Sequence, residues 1–189
     1  MMKSYLGAPV FLATGVLLGV ISALVGAESF GTDVVRADSP WQRRDTSTTS
    51  SAYPYAIAHY LLDGRLPPAE GQFVELFAIA DAGGSRFRPE CDTNLTLPDG
   101  RRPRWWSVAA FAAGDANLSA QAVMSGETAI AEANGDIRIT VSGRPRPGNW
   151  IKAPDARSYV LIYTVAAEGG MVTGSPRDVP LFSIEQDGC

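Results

Sequence analysis

Two stretches of this chain concentrate the residue types that recognise anions. Arg101-Arg102-Pro103-Arg104-Trp105-Trp106 sets three guanidiniums before two indoles, and Gly143-Arg144-Pro145-Arg146-Pro147-Gly148-Asn149-Trp150 sets two more in a stiff Pro/Gly loop. A guanidinium donates two parallel hydrogen bonds to a phosphate or carboxylate, and Arg and Trp are enriched where binding energy concentrates. Arg101, Arg102, Arg104, Trp105, Trp106, Asn149 and Trp150 are therefore the candidate ligand-binding residues. Anionic lipid headgroups or wall polymers are the ligands they suit. The plainer reading leaves the arginines flanking turns in solvent and puts the tryptophans in the core.

Catalysis has less to work with. The single histidine, His59, falls on an expected short helix, off its apolar face, and no G-x-S-x-G elbow accompanies it. Glu75, Glu90, Asp92, Glu127 and Glu132 lie in or beside expected strands, and two of them could flank a glycosidic bond. That keeps an envelope glycan hydrolase or lyase as an alternative. No Walker loop or dinucleotide fingerprint is present. One His and two Cys leave little for a zinc site or an iron–sulfur cluster, so neither metal nor cofactor is expected. A net charge of -4 argues against nucleic acid as a partner.

Location is easier to read. Residues 6–27 carry no charge between Lys3 and Glu28, and about 20 apolar residues suffice to cross a bilayer as a helix. A retained anchor is the preferred reading. Val25-Gly26-Ala27 offers the small-residue site of a cleaved signal peptide as its rival. Lys3 favours a cytoplasmic N-terminus (residues 1–5), while Arg36, Arg43 and Arg44 on the far side weigh against it. Gly15 and Gly19 form a small-xxx-small pair that allows two membrane helices to approach closely, so a subunit of a membrane assembly is a third reading. Cys91 and Cys189 are the only cysteines. Beyond an export signal, such a pair suits one disulfide in an oxidising compartment. Closing that loop of about 100 residues stabilises by up to ~4.7 kcal/mol in the chain-entropy model. The expectation is a single-pass inner-membrane protein with a periplasmic C-terminal domain, or a periplasmic protein if the segment is cleaved.

The elements that position these residues follow from patterning. Residues 28–52, rich in Ser, Thr and charge, read as a flexible tether. Ser51, Pro54 and Gly64 delimit a short helix with Tyr53, Ile57, Tyr60 and Leu61 on one face. Strands follow at 72–80, 92–97, 105–113, 159–165 and 181–184. On the second of these Thr93, Leu95 and Leu97 share a face, and the third is apolar on both faces, as a central strand would be. Asn134-Gly135 suits a type I′ hairpin across 128–142, with Ile137, Ile139 and Val141 inward and Arg138, Thr140 and Ser142 outward. Short strands punctuated by Gly and Pro give a mainly β, antiparallel sandwich or barrel over 53–189.

The runs PYAIAHYLLDGRLPPAEGQ, RWWSVAAF, DIRITVSGRPRPGNWIKAP, YVLIYTV and VPLFSIEQDGC, with Cys91 heading a strand, carry a likeness. From about Tyr53 to Cys189 the chain resembles the bacterial domain-of-unknown-function family numbered twelve-fourteen. The most specific pieces are Trp105-Trp106-Ser107 and Gly148-Asn149-Trp150. Short members resemble this chain in having one membrane helix and one such domain. The resemblance implies a jelly-roll-like sandwich outside the inner membrane and brings no catalytic residues with it. Ala112-Ala113-Gly114-Asp115 departs from the acidic or glycine turn common in the family.

Overall fold

The computed structural model describes residues 7–29, 32–34, 39–44, 61, 73–100, 103–114, 122–166, 179–187 and 189. Helix α1 spans Gly7–Ser29, and its 8–25 stretch is exposed throughout. A helix apolar on every side and covered by no protein is suited to lipid. Its Thr14 and Ser22 hydroxyls donate back to the carbonyls of Val10 and Gly19, which leaves no hydroxyl proton unsatisfied in a hydrocarbon core. The helix is long and apolar enough to be a membrane anchor or a signal sequence.

The remaining elements form two sheets. The six-stranded sheet has the order β1 (Thr32–Val34), β2 (Gln42–Arg44), β3 (Phe73–Ala78), β9 (Tyr159–Ala166), β5 (Trp106–Ala112), β6 (Val123–Ser125). The four-stranded sheet has the order β10 (Ser183–Asp187), β4 (Asp92–Leu97), β7 (Ile137–Ser142), β8 (Asn149–Lys152). Alternation decides what faces the core. Val74, Leu76, Trp106, Val108, Ala110, Leu161, Tyr163 and Val165 from the first sheet meet Leu95, Leu97, Ile137, Ile139, Val141, Ile151 and Ile184 from the second. This is a mainly β sandwich. β5 is central, between β9 and β6, and its Ala109 is buried with β9 Ile162 on the side away from the second sheet.

Three expectations need correction. The segment read as a tether supplies β1 and β2, and Trp41 within it is fully buried. Trp41 donates its indole N–H to the Phe182 carbonyl at 2.7 Å and lies 5.6 Å from the Tyr163 ring. An apolar surface of that size is worth more in the core than chain freedom is in solvent. The hairpin does not form either. Asn134-Gly135 does make a tight turn, with Gly135 at φ 90°, but no strand forms between β6 and the turn, β6 pairs with β5, and β7 pairs with β4 and β8. Ser142 is buried, not outward. The sandwich is mainly antiparallel, as expected, with one parallel pair, β7 and β8. The expected short helix at 53–64 lies outside the described residues except Leu61, which is helical. His59 lies outside them as well.

Candidate functional site

The candidate residues separate into three places. Arg101 and Arg102 lie outside the described residues. Arg104 is exposed ahead of β5, beside Trp105, which stays 37% exposed and stands edge-on to Phe73 at 5.6 Å. Trp106 takes the opposite face of the same strand. It is buried against Phe182, and a Cβ on Gly126 would come within 2.9 Å of its indole nitrogen. Trp106 is a core residue, not a ligand contact.

Asn149 and Trp150 sit half-buried on the other sheet, and both are hydrogen-bonded within the domain. Asn149 donates through Nδ2 to the Ile130 and Arg138 carbonyls at 2.7 and 2.9 Å, and its Oδ1 accepts from the Ile130 N–H at 2.8 Å. That side chain clips the loop before β7 onto β8. The Trp150 indole donates to the Ser142 carbonyl at 3.1 Å, fastening β8 to the end of β7. Only six residues separate these parallel strands, whose connections usually need a dozen or more. Gly148, at φ 80°, takes the left-handed turn that the short return needs.

The loop between them builds a site. Gly143 donates its N–H to the Pro89 carbonyl at 3.2 Å, and a Cβ at 143 would lie 2.8 Å from that oxygen, so only glycine permits the approach. This contact brings the β7–β8 loop against the turn ahead of β4. The result is a groove of about 790 Å³, edged by Glu90, Asp92, Arg144, Arg146, Asp155 and Arg157. Cys91, between the first two, is joined by a disulfide to Cys189, fixing one wall.

Charge within the groove is partly neutralised. Arg146 forms an ion pair with Asp92, and Lys152 reaches Asp155 at 3.1 Å. Arg144 and Arg157 are exposed and pair with no carboxylate among the described residues. Two guanidinium forks therefore stay available, against one uncommitted carboxylate, Glu90. Behind Asp92 the Tyr159 hydroxyl donates to Thr93 Oγ1 at 2.7 Å, linking the two sheets at this end. Burial pushes that phenol up to about 12; the Thr93 hydroxyl, able to donate to a phenolate, opposes the rise and the Asp92 charge adds to it.

Arg144 and Arg146 were visible in the Pro/Gly loop, and Glu90 and Asp92 among the carboxylates. Arg157 and Asp155 were missed, because only the turn between β8 and β9 delivers them. Glu132 pairs with Arg138 at 3.6 Å, outside the groove. No cluster of three metal-ligating side chains occurs among the described residues.

The family model "Protein of unknown function (DUF1214)" matches residues 72–167, a span that holds the whole lining of the groove. Among solved structures, the VPA0106 protein from Vibrio parahaemolyticus aligns at 16% identity with a TM-score of 0.51, over 70% of this chain and 34% of that one. An uncharacterised protein from Burkholderia cenocepacia aligns at 16% identity with a TM-score of 0.46, over 65% of this chain and 31% of that one. The chain thus spans about a third of the length of these two solved structures. The first likeness shows a shared fold. No curated protein matches this chain.

Proposed function

The chain belongs to the DUF1214 family of unknown function, and from its own residues we propose that it is a membrane-anchored binding domain of the cell envelope. In this reading α1 is retained in the inner membrane and the sandwich faces the periplasm. The groove beside the disulfide takes an acidic wall polymer through Arg144 and Arg157.

One observation carries the choice of site: these two guanidiniums stand at the rim of a groove without a carboxylate partner among the described residues. Desolvating an arginine is repaid when a planar anion accepts both arms of its fork. Strand direction supports a ligand away from the bilayer. Arg157 lies two residues before β9, whose eight residues carry the sheet about 23 Å to Ala166 at its other end. Chain connectivity brings α1 in at the Ala166 end, as set out below. An acidic wall polymer is therefore favoured over headgroups of the domain's own membrane.

A glycan hydrolase or lyase is a second reading, supported by Glu90 and Asp92 lining one groove. The ion pair with Arg146 commits Asp92 to holding the loop, so binding is the reading adopted.

Co-sedimentation of the detergent-solubilised full chain with purified sacculi tests it. The parent should pellet with them and be released as salt rises, because exposed charges are screened within roughly 8–10 Å near physiological ionic strength. The Arg144→Ala/Arg157→Ala variant should bind about tenfold or more weakly, as expected when hydrogen bonds to charged groups worth about 1.5–3 kcal/mol are lost. Equal pelleting of parent and variant would refute the site.

A further inference from the structure

We infer that the end of the six-stranded sheet nearest α1 rests on the lipid headgroup layer, with Phe73 and Trp105 as interfacial anchors and Arg104 beside them. The inference rests on α1 being the membrane anchor proposed above.

Connectivity sets the geometry. Only residues 30 and 31 separate Ser29, which ends α1, from Thr32, which opens β1. Three Cα–Cα steps of about 3.8 Å allow at most ~11 Å between those two residues. The register then carries this position across the sheet. Thr32 faces Arg44, and Arg43 faces Leu76, so Arg44 is level with Glu75. Glu75 faces Thr164, which faces Ser107. Phe73 lies two residues beyond this row, about 7 Å further along the strand. The direction is towards α1, because β1 runs away from the helix as β3 numbering rises: Thr32 is level with Glu75, and Val34 with Gln42 and Phe77. Ser29 therefore lies within ~11 Å of the Thr32 row, and the Phe73 row is displaced from that row towards the end at which the chain enters β1.

The residues at that end have interfacial chemistry. Phe73 and Trp105 are 38% and 37% exposed, and they form an edge-to-face pair on the outer side of the sheet. The Ala166 N–H donates to the Trp105 carbonyl at 3.0 Å, and Ala166 faces Phe73, so the pair is held rigidly across the end of β9. Aromatic rings that are apolar in body and wet at one edge partition to the headgroup level, and a neighbouring arginine favours anionic lipid. Against headgroups both rings would be further dehydrated while their wet edges keep polar neighbours. It also leaves the groove pointing away from the bilayer.

The four tryptophans all lie outside α1, so fluorescence reports only on the domain. The full chain is reconstituted in phosphatidylethanolamine/phosphatidylglycerol vesicles doped with lipid brominated near the headgroup. Bromine should quench up to about a quarter of the emission, one indole in four. That quenching should disappear in Trp105→Phe, persist in Trp150→Phe, and weaken in Phe73→Ala and Arg104→Glu. Quenching equal to the parent in Trp105→Phe overturns the inference, including the case in which that face pairs with a second copy. A chain that washes off the vesicles in alkaline carbonate overturns the anchor and this inference together, whereas a chain that stays on them without quenching overturns the docking alone.

Discussion

Replacing Trp41 with alanine should cost this domain a large part of its stability, although the residue lies in a segment whose composition reads as linker. Three losses combine. The indole is fully buried, and truncating a buried Phe or Trp to Ala costs about 3–5 kcal/mol. The Phe182 carbonyl loses its 2.7 Å partner in a buried setting, at about 1–3 kcal/mol if water cannot replace it. The Tyr163 ring loses a neighbour at 5.6 Å. These effects overlap, and about 4–6 kcal/mol is a fair total against the 5–15 kcal/mol typical of a whole domain. Urea titration of the full chain in detergent, followed by near-ultraviolet circular dichroism, measures it. With a slope of about 2 kcal/mol per M, the midpoint should fall by about 2–3 M. Trp41→Phe keeps a ring but not the donor and should fall by only about 0.5–1.5 M. A midpoint for Trp41→Ala within about 0.3 M of the parent, as a surface substitution would give, would refute the docking of residues 39–44 onto the sandwich.

The remaining predictions concern the groove end. Cys91→Ser/Cys189→Ser should lower stability by about 2–5 kcal/mol in the same titration, and it should weaken sacculus binding by loosening the wall that holds Glu90 and Asp92. Alkaline pH should unfold the domain through its buried phenols. Tyr159 is raised from 10.0 to about 12, and burial raises Tyr163 as well. The folded state therefore holds these protons more tightly than the unfolded chain. Their stabilisation is complete below pH 10; that from Tyr159, about 3 kcal/mol, is lost as pH climbs through about 12, and that from Tyr163 at higher pH still. Tyr159→Phe should flatten that decline in a pH series of denaturation midpoints.

Strands with a clean period of two were legible without coordinates. β4 alternates buried and half-buried residues along its whole length, as Thr93, Leu95 and Leu97 require. β5, flanked by β9 and β6, is apolar on both faces, and its Ala109 is buried on the outer one. What misled was local chemistry taken without a partner. Asn134-Gly135 makes its turn, but a hairpin also needs a preceding arm with its own sheet neighbour. Asn149 and Trp150 look like ligand contacts because amides and indoles bind ligands. Here the Asn149 amide and the Trp150 N–H are engaged in fastening β8 to β7 and to the loop before it. Trp41 gave no signal, since one tryptophan among polar neighbours has no period. The groove was half visible: Arg144, Arg146, Glu90 and Asp92 lie in conspicuous stretches, whereas Arg157 and Asp155 join them only through the order of the strands.

The account depends above all on an exported domain that keeps its helix and oxidises its cysteines. An intact mass, taken after denaturing alkylation of protein extracted from its own membrane fraction, reads both at once. The expected mass is that of a chain retaining residues 6–27, lighter by two hydrogens and carrying no alkyl group. A mass shortened by that segment, or increased by two alkyl groups, would contradict the account.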